Sequence, residues 1–300
     1  MIAGAFLSPR CLRSPVTSRD WHGDQRAVFD RDGHTCRRCG ATDSTGDESA
    51  STADLHCYPI GDVPLEGTVH ESSLVTVCDR CFDSLQGASV ATDTQPDDET
   101  LFTLARDLTQ RQGVTVSAVA SFSSIATSLP TALEDAGEDD AARTDAEAEY
   151  RQARREVLLA IESVPSRLDP LAAVDETALD PAVSDPLAEL VEAARTLQTE
   201  LRELVSYCET VPVAIGRCRG CLKATETSET DKRDDTAACP TCGLPSESAG
   251  TAVMGTDDSM EARLSAINET LQGASATTET LTECAGQVAT ALQGEPTDPQ

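Results

Sequence analysis

Eight of the twelve cysteines fall in four CxxC pairs: Cys36/Cys39, Cys78/Cys81, Cys218/Cys221 and Cys239/Cys242. No other feature constrains the chain so strongly. Two thiolates on one tight turn can grip a metal ion, and two such turns close a tetrahedron around it. The opening residues, MIAGAFLSPRC, carry no basic residue ahead of the apolar run and do not read as an export signal. Paired spacing in such a chain predicts metal ligation in a reducing compartment rather than disulfides. The first two pairs are separated by 38 residues and the last two by 17. Two independent sites, each holding one structural zinc ion, are therefore the simplest arrangement. A closed four-sulfur site has no free coordination position for chemistry.

Composition supports small metal-stapled units over one large core. Aromatic residues make up only 3% of the chain, with a single Trp. The net charge is −29, and Lys223 and Lys232 are the only lysines. Such acidity repels nucleic acid at ordinary salt, and has two readings: a basic partner, or adaptation to molar salt. The excess is spread along the whole chain, which favours the second; the pattern resembles proteins of salt-loving archaea. In molar salt screening acts within about 3 Å, so net charge no longer argues against nucleic acid. The stretch from Gly113 to Leu129 is Ser/Thr-rich and short for a bilayer span. A cytoplasmic protein with no membrane partner is expected.

Along the chain, residues 1–17 are expected to form a flexible extension. Residues 18–90 hold the first two pairs. There Asp20 is placed to cap a helix from Trp21 to Arg31 with Val28 and Phe29 inward, and Leu55–Ile60 and Leu74–Val77 are strand candidates. Residues 91–99 read as an acidic linker and 100–210 as mainly helical. In that region Tyr150, Ala153, Val157 and Ile161 share one stripe. Asp185 is a candidate N-cap for a helix whose Leu187, Leu190, Val191, Ala194, Leu197, Leu201, Leu204 and Cys208 recur at helical spacing. Residues 216–245 have the spacing of a zinc ribbon, with Gly220 and Gly243 supplying freedom for the knuckle turns. Residues 257–293 carry heptad spacing from Met260 to Leu292, either as one helix or as two broken near Gly273. Mutual packing into a bundle is favoured over self-association through these helices. No Gly-rich phosphate loop or Ser/His/Asp order is present, and four His are too few for a binuclear site.

The wording around the first two pairs resembles HNH endonucleases of the zinc-stapled subclass. RDWHGDQRAVFDRDGHTCRRCG is similar to their lead-in helix and first knuckle. LHCYPI stands where L-x-V-H-H-I is usual, and SSLVTVCDRCFDSLQG where N-L-V-T-L-C-x-x-C-H-x-x-x-H-G is usual. The resemblance covers residues 18–90. It implies a ββα-metal fold that cuts phosphodiester bonds, with imidazoles to ligate a metal and take a proton from water. At the positions that would carry this chemistry stand Tyr58 and Pro59 for the His pair, Ser73 for the Asn, Phe82 for the last His and Gln86 for the tail His. None of these can replace an imidazole, so no catalytic divalent metal is expected. His56 and His70, with acids such as Asp62 or Glu66, are the weak candidates for a relocated centre. His34 reads as a turn residue, and Cys57 as a small core residue.

The expected fold class is thus α+β: a zinc-stapled ββα-type domain, helical segments and a small zinc ribbon. Three functions follow. The first is a zinc protein with its nuclease activity lost that binds DNA or RNA, with Arg19, Arg26, Arg31, Arg37 and Arg38 supplying the basic surface. In the ribbon Arg217, Arg219, Lys223, Lys232 and Arg233 form a second basic cluster. The second function is a divergent HNH endonuclease with a relocated metal. The third is a non-enzymatic protein–protein adaptor.

Overall fold

The computed structural model describes residues 21–42, 54–61, 69–87, 95–225, 238–245 and 259–293, with side chains from residue 25 onward. Arg19, Asp20, Asp62, Glu66, Lys232 and Arg233 lie outside them, as do residues 1–17.

Helix α1 spans Trp21–Arg31 and buries Val28 completely. A turn at Asp32–His34 leads into the first cysteine pair. Strand β1 (Leu55–Pro59) then pairs antiparallel with β2 (Leu74–Cys78), and α2 (Asp79–Leu85) follows directly. The ββα order is present. The register sets Tyr58 against Val75 and His56 against Val77.

The remainder is a helical bundle: α3 (Asp98–Ala136), α4 (Asp140–Ser163), α5 (Pro165–Ala172), α6 (Pro181–Ala214) and α7 (Met260–Gln293). Its core follows the heptad pattern. In α3, Leu101, Ala105, Leu108, Gln112, Thr115, Val119, Phe122, Ala126 and Leu129 are buried at alternating steps of four and three. In α6, Leu187, Leu190, Ala194, Leu197, Leu201, Leu204, Cys208 and Val211 do the same. Ile267, Ala274, Leu281 and Val288 of α7 complete the seam, which α6 and α3 cover. Each large apolar side chain withdrawn from water contributes roughly 1.5–3 kcal/mol. Two buried amides pair inside this seam. Gln198 Nε2 donates to Gln112 Oε1 at 2.8 Å, and Gln112 Nε2 donates to the Ala194 carbonyl at 3.1 Å.

Several expectations need correction. Helix α3 begins at Asp98, capped by Asp97, so the last two linker residues form its first turn. The stretch from Gly113 to Leu129 lies within a 39-residue helix, which among the described residues is the one long and apolar enough to cross a membrane by length and composition. Helix α6 starts one turn early: Asp180, not Asp185, accepts the capping bond, from the Ala182 N–H at 2.9 Å, and Pro181 takes the first helical position. Proline at position 186 is accommodated within the helix. Helix α7 runs unbroken through Gly273, because the seam residues on either side bury against α6 and offset the low helix propensity of one glycine.

The first metal module rests on α4. Leu159 joins Tyr58, Ile60, Val75 and Val77 in one apolar cluster. Arg37 pairs with Glu156, Arg38 Nη2 donates to Ser166 Oγ at 2.9 Å, and the Gly61 N–H donates to Glu162 Oε1 at 2.8 Å.

Candidate metal centres

The described residues contain two groups of four cysteines able to hold a metal ion, Cys36/Cys39/Cys78/Cys81 and Cys218/Cys221/Cys239/Cys242. Within each group the sulfurs all lie within 4.8 Å of one another. Contacts of 3.7 Å (Cys39–Cys78), 3.5 Å (Cys218–Cys242) and 3.7 Å (Cys221–Cys239) define edges of each cluster. Metal–sulfur bonds of about 2.3 Å set the edge of a tetrahedron at about 3.8 Å, so the donor sets fit such an ion. The pairing is the one that sequence spacing predicts.

Three of the four pairs share one turn. The first cysteine N–H donates to the carbonyl five residues on: Cys36 to Ala41 at 2.7 Å, Cys218 to Lys223 at 2.9 Å, Cys239 to Leu244 at 2.8 Å. The fourth residue on donates back to the cysteine carbonyl: Gly40 at 2.8 Å, Leu222 at 3.0 Å, Gly243 at 2.8 Å. That returning residue is left-handed, with φ of 77°, 60° and 72°. In the third pair, then, Leu222 takes the strained position, not Gly220. Left-handed backbone costs a residue with a Cβ about 1–2 kcal/mol. Leu222 is 1% exposed and belongs to the main bundle core, so its burial outweighs the strain and pins the knuckle to the bundle.

Gly220 has another role. A Cβ there would lie 2.2 Å from Leu244 Cδ1, and Leu244 is itself packed among the four cysteines. Gly220→Ala is therefore expected to destabilise the second centre by about 1–3 kcal/mol. Faster transfer of its metal to a chelator than in wild type is the readout; equal transfer rates would show that Leu244 yields freely.

The fourth pair is built differently. Cys78 ends β2 and is the N-cap of α2, while Cys81 lies in that helix's first turn. Its anchor is Thr76. The Thr76 N–H donates to Asp32 Oδ2 at 2.9 Å, and the Arg37 N–H donates to the Thr76 carbonyl at 2.8 Å. Arg31 grips the same Asp32 carboxylate through two bonds, at 2.8 and 2.9 Å. Burial alone would raise the Asp32 pKa; the Arg31 and Thr76 bonds more than offset this and hold it below the usual value. A depressed folded pKa gives stability that is present above the unfolded value, near 4, and lost as pH falls through the folded value. Asp32→Asn is accordingly expected to lower the stability of the first module by roughly 1.5–3 kcal/mol. The loss should be constant from pH 5 to 8 in chemical denaturation. A difference that changes across that range would point to another group.

Of the positions read as the erased catalytic centre, Tyr58 and Phe82 are brought into contact. Tyr58 and Phe82 meet edge to face, with centroids 6.1 Å apart and planes at 89°, and the His56 ring lies 5.0 Å from Phe82. His56 also pairs with Asp79. Ser73 is 3% exposed and precedes β2, and Pro59 closes β1. His70 accepts from the Ser72 N–H at 3.1 Å and so caps the short turn Glu71–Ser73. Neither His56 nor His70 belongs to a group able to hold a metal among the described residues. His34 is a turn residue with φ of 51° and bonds Asp30 at 3.2 Å. Cys57 is buried.

Three of the candidate arginines, Arg31, Arg37 and Arg38, are tied to partners within the protein. Besides Asp32, Arg31 donates to the carbonyls of Glu71 and Leu74, each at 2.8 Å. In the second module Arg217 Nη1 donates to Glu147 Oε1 at 2.7 Å, while Lys223 stays exposed, as does Arg26 in the first module. Spacing gave no sign of the ion cluster that docks this module. Glu209 accepts from Arg154 Nε at 2.7 Å and from Arg219 Nη1 at 2.8 Å, and all three are buried. Tyr150 Oη donates to the Arg219 carbonyl at 3.0 Å. An arginine and a glutamate next to apolar stripe positions inside helices, Arg154 beside Ala153 and Glu209 beside Cys208, were the available signal.

The fold and donor sets define a class: an α+β chain with two four-cysteine metal modules seated on a helical bundle. Among known proteins, no family model, no curated protein and no solved structure matches the chain.

Proposed function

We propose that this chain is a non-catalytic protein with two structural zinc ions. Its first module is of the HNH type with the nuclease centre lost, and it contacts DNA or RNA. One observation carries the reading: the four-sulfur clamp is complete, while the place of the family's imidazoles holds the apolar contact between Tyr58 and Phe82. Four thiolates on tight turns suit zinc above other divalent ions. Metal analysis of the purified chain should give two zinc ions per molecule. Incubation with plasmid and with single-stranded DNA in Mg²⁺, Mn²⁺, Ni²⁺ or Zn²⁺ should give no cleavage. Cleavage lost in His56→Ala would establish the divergent endonuclease instead.

Contact with nucleic acid rests on basic side chains left outward, chiefly Arg26 and Arg80 on the first module. Binding measured across salt should weaken in Arg26→Ala/Arg80→Ala, with the log–log salt slope reduced by about one per phosphate contact removed. The adaptor reading draws on a specific observation too: Arg37 and Arg38 fasten the module to α4 and α5. If wild type binds no nucleic acid at any salt, that rigid attachment makes the adaptor role the better account.

A further inference from the structure

We propose that the cavity between the first metal module and α4 binds a phosphate-type oxyanion. The cavity has a volume of about 80 Å³, several times the space one water needs, with Val75 and Leu159 in its wall. Three arginines line it: Arg31, Arg37 and Arg155. Two of them are neutralised, Arg31 by Asp32 and Arg37 by Glu156. Arg155 is half-buried and has no hydrogen-bond or ion-pair partner among the described residues. Burial first, and then the charges of Arg31, Arg151 and Arg37, push its pKa down to about 10, with Asp32 acting the other way. A half-buried guanidinium beside two other cations, with Asp32 gripped by Arg31 and Glu156 by Arg37, is an unfavourable arrangement, and an anion in the cavity relieves it.

The guanidinium fork matches two oxygens of a tetrahedral oxyanion, which singles out phosphate over a spherical halide. Gln152 adds an amide donor at the rim, although it also bonds Glu156 at 3.0 Å. Glu156 competes with the ligand for Arg37, so the site is tuned by one carboxylate. The same chemistry serves a free phosphate ion or a phosphate of a nucleic-acid strand. This inference does not depend on the function proposed above, since it rests on the arginines of the cavity and not on the family resemblance.

The test is calorimetric titration of the full zinc-loaded chain with inorganic phosphate, at fixed ionic strength set by chloride. Saturable binding is expected in wild type. Arg155→Gln should weaken it at least tenfold with unchanged circular dichroism, and Glu156→Gln should tighten it. If Arg155→Gln does not fold, Arg155→Lys, which keeps the charge but not the fork, should weaken binding several-fold. No saturable heat in wild type would overturn the proposal. So would an affinity unaltered in the Arg155 variant, or one reduced in Glu156→Gln. A short single-stranded oligonucleotide that competes with phosphate identifies strand phosphates as the ligand; one that does not compete identifies the free ion.

Discussion

Serine in place of Cys221 is expected to weaken the whole chain, whereas serine in place of Cys39 should cost only the first module. The difference lies in how each centre joins the bundle. The second centre reaches the main core through Leu222, through Tyr150 bonding the Arg219 carbonyl, and through the Glu209 ion cluster. The first rests on the flanks of α4 and α5 outside the main core, and Cys39 is an exposed ligand. Metal binding contributes on the order of 10–16 kcal/mol to small zinc-folded peptides, comparable with or above the 5–15 kcal/mol stability of a typical domain. Loss of one ligand at a centre wired into the bundle therefore matters globally. Both variants should bind one metal fewer. Thermal melts followed at 222 nm should show a large downward shift of the main transition in Cys221→Ser and almost none in Cys39→Ser. Equal shifts would mean that the modules are energetically equivalent and the wiring is incidental.

Glu209→Gln should be the most damaging single change away from the cysteines. It would remove the carboxylate that Arg154 and Arg219 both bond while leaving the two guanidiniums buried; their side chains are 2% and 7% exposed. Removing one partner from a buried ion cluster costs about 3–5 kcal/mol, because the desolvated charge remains. Replacing the set together, as Arg154→Met, Glu209→Leu and Arg219→Met, should recover most of the loss, since apolar residues of similar volume avoid the desolvation. Urea midpoints with zinc in excess measure both. A Glu209→Gln protein within 1 kcal/mol of wild type would show that water reaches the cluster.

Much of this was legible beforehand because the periodic signals are local. The heptad steps of α6 and α7 and the CxxC pairs depend only on spacing, and the structure follows both. The misses arise where a distant contact decides. Spacing pointed to Gly220 as the flexible turn residue, but the turn needs its left-handed backbone two positions later, and Leu222 tolerates it only because the bundle buries its side chain. Asp185 has the composition of an N-cap, yet Asp180 followed by Pro181 supplies a better one a turn earlier. Read as a string, the crowd of arginines near Cys36 looks like an outward basic surface. Asp32, Glu156 and Ser166 hold Arg31, Arg37 and Arg38 in contacts within the protein, and two of those partners lie more than a hundred residues away.

The paired amides of Gln112 and Gln198 have a consequence for assembly. A ladder of leucines repeats every seven residues and would accept α3 and α6 shifted by one heptad at little cost. Such a slip would press each amide against hydrocarbon and strand its hydrogen bonds. The two glutamines therefore act as an indexing key: they leave one alignment of the long helices, and so fix which end of the bundle receives each cysteine clamp.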